Sequence, residues 1–124
     1  MLTTGVDIVE IPRIAAAHER WGPRFLNRVY TEGEQAYSRG RAAQLAGRFA
    51  AKEATMKALG TGVRGVSWRE VEVVRERGRA PAIRLHGRAA DRARRLGLQR
   101  FALSISHSRE YAVALVIAQS GEGA

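Results

Sequence analysis

The chain has 124 residues, no cysteine and a formal net charge of +9. This length allows one domain with a modest core, and a hydrophobic content of 45% excludes an intrinsically disordered chain. The absence of cysteine excludes disulfides, thiolate metal sites and cysteine nucleophiles. The excess of positive charge favours an acidic partner: nucleic acid, a membrane surface, an acidic protein or a polyphosphate.

Neither a targeting segment nor a membrane span is predicted. Asp7 and Glu10 interrupt the N-terminal segment, which lacks the basic-then-apolar pattern of a signal peptide. The longest apolar run, residues 112–118, is too short to cross a bilayer. We therefore expect a soluble cytoplasmic protein without membrane contact, with one domain over residues 1–119 and a flexible tail over 120–124.

The first predicted strand covers residues 6–11, which are rich in β-branched side chains. Alternation places Asp7 on the same face as Val9 and Ile11, although aspartate is depleted from strands. Either Asp7 lies at a sheet edge with its carboxylate in water, or it has a function. Pro12 then suits the first turn of a helix.

Residues 13–28 are predicted to form one helix or two short ones with many basic side chains. Two interpretations are open for these cations. They form a solvated amphipathic surface, or they form a basic face that binds an acidic partner. The spacing alone favours the solvated surface.

A capping box at Thr31 and Glu34 predicts the start of a short helix. The long central helix follows from about Arg41 and stops at Gly60, because glycine readily adopts the left-handed conformation that closes a helix. The rest of the chain is expected to pack around this element.

One face of the central helix places an acid among apolar side chains. The apolar stripe comprises Leu45, Phe49, Met56 and Leu59. At 100° per residue, Glu53 falls inside that stripe, and Lys57 lies one turn further along at its border. A carboxylate on an apolar face is unfavourable unless something pairs with it. Together with the loop from Gly60 to Gly62, this pattern indicates a phosphate and metal site.

The remaining pattern predicts a strand hairpin over 68–74 and 82–86, a basic helix over 88–96, and two strands over 101–107 and 111–118. Helices mixed with hairpins predict an α+β fold, a single small domain with a mainly antiparallel sheet packed against the central helix. His107 ends the apolar face of its strand next to a loop, where histidine is structural more often than catalytic.

The candidate chemistry is narrow. A Walker loop is absent, the three histidines lack zinc-ligand spacing, and a hydrolase triad is weak. Asp7 and Glu53 remain, and two carboxylates about 4 Å apart repel by about 4 kcal/mol at an effective dielectric constant of about 20. Mg²⁺ relieves such repulsion and binds phosphates as well. With Lys57 and His107 nearby, the group would suit phosphoryl transfer on a diphosphate.

Three segments together resemble one enzyme family. They are residues 5–14 (GVDIVEIPRI), residues 49–62 (FAAKEATMKALGTG) and residues 104–108 (SISHS), the last followed by the Tyr-Ala-Val-Ala run from Tyr111. They are similar, in order and spacing, to the motifs of the holo-[acyl-carrier-protein] synthases, the short type of phosphopantetheinyl transferase. The similarity covers nearly the whole chain.

The resemblance implies a specific reaction. The phosphopantetheine arm of coenzyme A moves to a serine of apo acyl carrier protein, and adenosine 3′,5′-bisphosphate is released. Asp7 and Glu53 match the family's Mg²⁺-ligand positions and, with Lys57 and His107, form the implied catalytic set. The implied coenzyme A-binding residues are Arg48, Lys57, Gly60, Gly62 and His107. The base is left open between Glu53 and a metal-bound water.

The resemblance also implies partners. Family members of this length are homotrimers with the active site at a subunit interface. Acyl carrier proteins are acidic and dock on the first helix, so the implied docking residues are Arg13, Arg20, Arg24 and Phe25. This favours a binding face over a merely solvated one. Whether the carrier serves fatty-acid or polyketide synthesis is left open.

Two other functions remain as alternatives. The charge of +9 and the arginine-rich helices fit a nucleic-acid-binding module, but the interleaved surface aromatics of a single-strand binder are missing, so no nucleic-acid partner is expected. The other alternative is a trimer that binds coenzyme A without catalysing transfer.

Overall fold

The computed structural model describes residues 1–121. Its elements in chain order are β1 (Leu2–Glu10), α1 (Ile11–Trp21), α2 (Pro23–Val29), α3 (Glu32–Ser38), α4 (Ala42–Leu59), α5 (Gly62–Gly65), β2 (Val71–Val74), β3 (Ala82–Leu85), α6 (Gly87–Leu96), β4 (Leu98–His107) and β5 (Tyr111–Ser120). A 3-10 turn at Trp68–Glu70 precedes β2.

Two antiparallel sheets organise these elements. The larger sheet has the order β1-β5-β4, and the smaller one is the β2-β3 hairpin. In the larger sheet, Asp7 on β1 and Ile105 on β4 both pair with Ala114 of the central strand. The helices and antiparallel strands confirm the predicted α+β fold.

Helix α4 packs on the inner face of the larger sheet and forms the centre of the core. Ala50, Ala51 and Ala54 are fully buried, since their small side chains let neighbouring elements approach from several directions. Leu45, Met56 and Leu59 of the predicted apolar stripe are buried and Phe49 is half-buried, but burial extends beyond that stripe over most of the circumference of α4. Glu53 was predicted inside the stripe, but it lies with Lys57 on the less buried side of the helix, because it is turned about 40° past Phe49.

The basic segment of residues 13–28 was predicted to form one helix or two short ones, and the structure has two. The break between them lies at Gly22, whose φ of 52° is in the left-handed region, and Pro23 opens α2. The capping box at Thr31 and Glu34 is present as predicted, with both of its hydrogen bonds formed.

A buried ion pair attaches the smaller hairpin to α4. Lys52 Nζ lies 2.7 Å from Glu34 Oε1, and both side chains are fully buried. Lys52 also donates to the carbonyl oxygens of Trp68 and Val71, while the Val73 N–H donates to Glu34 Oε2. Burial lowers the pKa of Lys52, and the neighbouring Glu34 opposes that shift.

The ends of β1 and β5 differ from the predicted ones, because these two strands pair with each other over a longer stretch than the sequence pattern indicates. β1 begins at Leu2 because it pairs with β5 as far as Gln119. β5 ends at Ser120, two residues beyond the predicted end of this strand, and the Met1 ammonium donates to the Ser120 Oγ at 2.6 Å. The predicted domain boundary at 119 stays a prediction. The predicted tail beyond Gly121 lies outside the described residues.

Candidate active site

Asp7 lies on the inner face of β1, towards α4. Its side chain is only 11% exposed, and its Oδ1 lies 3.2 Å from Lys57 Nζ. Its other carboxylate oxygen, Oδ2, is buried without a hydrogen-bond partner. A buried anionic oxygen without a partner is unfavourable, so Asp7 can still accept a cation or a hydrogen bond.

Glu53 of α4 forms the second half of an acidic pair. Burial raises the pKa of Glu53, and the neighbouring Asp7 carboxylate raises it further. Lys57 and Arg13 act in the opposite direction. Asp7 and Glu53 therefore interact electrostatically in the structure, while their roles as metal ligands stay a prediction.

Lys57 joins the two elements that carry this pair. Its Nζ donates to the Val6 carbonyl oxygen at 2.8 Å and to Asp7 Oδ1. The Lys57 side chain is 55% exposed. Its charge is therefore held at the acidic pair while solvent, or a ligand, can reach it.

The distance between β1 and α4 depends on Gly5. A Cβ built on Gly5 would lie only 1.8 Å from the Ala54 carbonyl oxygen, a separation that no side chain tolerates. The backbones of strand and helix therefore touch two residues before Asp7 and one residue after Glu53. Sequence reasoning did not include Gly5 in the site, although a glycine inside a strand pattern can signal such close approach of two backbones.

The two carboxylates fit a Mg²⁺ site of the kind that one or two carboxylates form together with phosphate and water. The unpartnered Asp7 Oδ2 supplies a free ligand atom, and a dication would remove the repulsion that raises the Glu53 pKa. Residues 1–121 contain no cluster of three or more acidic, histidine or cysteine side chains arranged to hold a metal. Further ligands would therefore come from substrate and water.

A glycine turn follows at the end of α4. Gly60 and Gly62 both have left-handed φ angles, 72° and 58°, and Gly60 closes the helix with its N–H bonded to the Lys57 carbonyl oxygen. A Cβ at Gly62 would meet open space. The loop predicted to hold phosphates is thus an accessible turn one helical turn beyond Lys57.

A single chain does not bring His107 into this group. Its imidazole Nδ1 lies 3.2 Å from the Ser108 carbonyl oxygen, and the side chain is exposed at the end of β4. The strand order places β5 between β4 and β1, and His107 pairs at the level of Val9 rather than Asp7.

Arg48 also lies apart from the acidic pair, since five residues along a helix turn it about 140° from Glu53. Only 3% of Arg48 is exposed, its guanidinium stacks 4.1 Å from the Tyr37 ring centroid, and its Nε has no hydrogen-bond partner. Burial lowers the pKa of Arg48. It lines a cavity of about 270 Å³ beside the β2-β3 hairpin.

The predicted docking residues lie on α1 and α2. Arg13, Arg20 and Arg24 are exposed, while Phe25 is half-buried and packs edge-on against Tyr30 at 5.7 Å. The two helices enclose a groove of about 580 Å³, lined by Ala17, Trp21, Arg24, Phe25 and Arg28. Trp21 was not among the predicted docking residues, yet the residue is 47% exposed, and the Arg20 guanidinium lies 4.9 Å from its ring centroid.

Comparison with known proteins settles the family. The model of the 4′-phosphopantetheinyl transferase superfamily matches residues 3–116. The chain belongs to this family. It is 53% identical to a holo-[acyl-carrier-protein] synthase of Koribacter versatilis, over 94% of this chain and 97% of that protein. It is 56% identical to the synthase of Gloeobacter violaceus, over 90% and 88% of the two chains.

A solved structure agrees with this assignment. The Helicobacter pylori holo-[acyl-carrier-protein] synthase in complex with coenzyme A superposes with a TM-score of 0.85 at 31% identity, covering 94% of this chain and 99% of that one. Family membership confirms the predicted class of enzyme, a phosphopantetheinyl transferase. Within residues 1–121, no helix combines the length and apolar composition needed to cross a membrane.

Proposed function

We propose that this transferase moves the 4′-phosphopantetheine group of coenzyme A to a serine of apo acyl carrier protein, with Mg²⁺ held by Asp7 and Glu53. Family membership and relatives of similar length support the transfer. The observation that carries the metal assignment is the partly buried acidic pair, in which Asp7 has a buried oxygen without a hydrogen-bond partner and burial and the neighbouring Asp7 raise the pKa of Glu53.

In the proposed reaction, the carrier serine oxygen attacks the phosphorus that bears the pantetheine arm. A new P–O bond forms, the bond to the bridging oxygen of the diphosphate breaks, and adenosine 3′,5′-bisphosphate leaves. The serine proton would pass to Glu53 or to a water held at the metal site. Bound Mg²⁺ would supply charge stabilisation on the transferred phosphoryl group.

The chain's own cations would orient the diphosphate. Lys57 is fixed at the acidic pair by its bonds to Val6 and Asp7, and its exposed ammonium retains donor capacity for a phosphate oxygen. The turn from Gly60 to Gly62 places accessible backbone next to it. In this proposal the nucleophile comes from the carrier protein, so no activated serine is needed in this chain.

A homotrimer with interfacial active sites is the proposed assembly. The outer face of the larger sheet exposes the large apolar side chains Leu2, Val6, Ile8, Tyr111, Leu115 and Ile117, by 38% to 65%. Val6 pairs with Leu115 across the two strands, so these side chains form one continuous patch. Patches of this kind mark interfaces. A neighbouring copy would then supply His107 and Arg48 to a coenzyme A bound at this chain's acidic pair.

The acyl carrier protein would dock on α1 and α2. Exposed Arg13, Arg20 and Arg24 attract an acidic surface, and the groove beside Trp21 and Phe25 accepts an apolar side chain. The cytoplasmic location and the absence of a nucleic-acid partner stay predictions from the sequence.

The test is an assay of transfer by mass spectrometry. The protein is incubated with coenzyme A, Mg²⁺ and an apo acyl carrier protein, and the carrier is weighed. We expect a gain of one phosphopantetheine group, which EDTA abolishes and excess Mg²⁺ restores. Glu53→Gln should abolish the gain, whereas Glu10→Gln, an exposed acid at the end of β1, should preserve it.

Other outcomes would change the assignment. A folded protein that binds coenzyme A but modifies none of several apo carriers would favour the non-catalytic trimer. Transfer that is unaffected by EDTA would contradict the metal assignment alone. Light scattering tests the assembly separately, and a monomeric mass at micromolar concentration would contradict the trimer.

A further inference from the structure

Helix α6 crosses the C-terminal end of α4 and carries Arg92 to the glycine turn. Ala89 and Ala93 on the same helix are buried, so the backbone position of Arg92 is fixed. Its Nε donates to the Leu59 carbonyl oxygen at 2.9 Å. Its Nη2 would lie 3.4 Å from a Cβ built on Gly60. The guanidinium therefore covers the turn that ends α4.

The charge of Arg92 is not compensated by a carboxylate. Arg88 and Arg94 of the same helix pair with Glu70 and Asp91, but no carboxylate in the described chain lies within 4 Å of the Arg92 guanidinium. Instead, the Arg92 guanidinium lies at the C-terminal end of α4, where the helix dipole is negative. Lys57, in the last turn of α4, already lies at that end.

Arg92 uses one of its donors and leaves the others available. A guanidinium has five N–H groups in a planar fork, and within residues 1–121 only the Nε–H of Arg92 has an acceptor. A helix cap needs just that one bond. Arg92 is half-buried as a residue, and its Nη2 lies beside Gly60. The planar fork of its two Nη groups has the geometry that binds phosphate oxygens in pairs.

We propose that Arg92 is a further substrate-binding residue, whose Nη groups bind a phosphate of coenzyme A at the Gly60–Gly62 turn. The inference rests on the proposed placement of coenzyme A at the end of α4. Lys57 and Arg92 then contact the substrate from two sides of this turn. Arg92 comes from an element outside all three sequence motifs, which is why motif comparison does not reveal it.

The experiment compares three variants of the full-length protein in the transfer assay. Arg92→Leu removes charge and donors, and Arg92→Gln keeps a donor for the Leu59 carbonyl but loses the fork. Arg95→Leu is the control, because Arg95 is exposed on the same helix and the same charge is lost. We expect both Arg92 variants to raise KM for coenzyme A about tenfold or more, as expected for loss of a bidentate charged contact, with kcat and the KM for carrier little changed. Arg95→Leu should match the wild type.

Substrate analogues separate the two phosphate sources. If the Arg92 variants raise KM equally for coenzyme A and 3′-dephospho-coenzyme A, Arg92 binds the diphosphate. If they raise KM for coenzyme A alone, Arg92 binds the 3′-phosphate. Both results support the proposal. A lower melting temperature with unchanged KM in Arg92→Gln would overturn it and leave Arg92 as a helix cap. If the wild type transfers nothing to any carrier, the proposed function fails, and direct calorimetry of coenzyme A binding still tests Arg92.

Discussion

Helix α4 carries two lysines in ion pairs, Lys52 with Glu34 and Lys57 with Asp7. The two pairs differ in how many of their polar atoms have hydrogen-bond partners. The three donors of Lys52 are all used, by Glu34, Trp68 and Val71, in a site without exposure to solvent. Lys57 is half-exposed, and its partner Asp7 keeps one buried oxygen without a hydrogen bond. A saturated cluster serves the fold, whereas an unsaturated one can bind a ligand.

The buried pair should show the largest effect on stability. Lys52→Met leaves the Glu34 carboxylate buried without its cation, which should lower the free energy of unfolding by about 3–5 kcal/mol. Because Gln at 34 removes that uncompensated charge, the double variant Lys52→Met/Glu34→Gln should recover more than about 1 kcal/mol. Urea denaturation measures both. Transfer activity per folded molecule should stay near wild type, and its loss in a stable variant would contradict a purely structural pair.

The open pair should show the opposite pattern, with a large effect on activity and little on stability. Asp7→Asn should lower transfer by roughly 10²–10³, the scale of losing one preorganised electrostatic contact. Removing one carboxylate also relieves repulsion, so the melting temperature without metal should hold or rise. In the wild type, Mg²⁺ at 100 times its Kd should stabilise by about 2.7 kcal/mol.

The rise in melting temperature caused by Mg²⁺ provides the control for this prediction. It should disappear in Asp7→Asn and persist in Glu10→Gln, as measured by thermal denaturation with and without EDTA. If Mg²⁺ raises the melting temperature equally in both variants, the metal does not bind at Asp7.

Gly5→Ala should affect both stability and the site. The new Cβ would overlap the Ala54 carbonyl oxygen, so β1 must move away from α4, at a cost near the upper end of about 1–3 kcal/mol for overpacking. That shift also separates Asp7 from Glu53, so the Mg²⁺ concentration for half-maximal activity should rise. Gly33→Ala is the matched control, because its Cβ meets no backbone atom and only two side-chain oxygens, Glu72 Oε2 at 3.3 Å and Thr31 Oγ1 at 3.9 Å. Its stability should be close to wild type.

The smallest effect on stability is expected at the partly exposed pair of Glu72 and His86. Although burial acts in the other direction, hydrogen bonds from His86 and Thr31 lower the net pKa of Glu72 below its ordinary value. A lowered folded-state pKa means that Glu72 stabilises the fold above the ordinary carboxyl pKa, and that this contribution disappears as pH falls through the folded-state pKa.

Glu72→Gln should therefore cost up to about 1 kcal/mol at neutral pH, and the difference from wild type should shrink in acid. Glu76→Gln, which removes an exposed acid paired with Arg79 at 3.6 Å, should cost less at every pH. A Glu72→Gln deficit that stays undiminished below the folded-state pKa of Glu72 would contradict the sign of this pKa shift.

The sequence predicted the local features well and the partners of charged residues less well. The capping box at Thr31 and Glu34 was predicted because both of its bonds lie within four residues. The second role of Glu34, as the partner of Lys52, joins residues of two different helices that lie 18 positions apart in the chain, and it has no local signal. Lys52 therefore could not be distinguished from an ordinary solvated lysine.

The site could be predicted only in part for a similar reason. Asp7 and Glu53 were found because an acid is unusual in a β-rich segment and on an apolar helix face. The orientation of Arg48 towards Tyr37 is decided by tertiary packing, which no local pattern in the sequence indicates. Trp21 was missed because an aromatic residue in an amphipathic helix is usually core.

The backbone contact between Gly5 and Ala54 has a consequence for ion selectivity. It fixes the span between the two proposed ligands through rigid elements rather than through loops, so the span cannot widen easily for a larger ion. Mg²⁺ binds at about 2.0–2.1 Å in a strict octahedron, whereas Ca²⁺ takes about 6–8 ligands at about 2.3–2.6 Å. The same close packing that requires glycine at position 5 would therefore favour the smaller of the two common cellular dications.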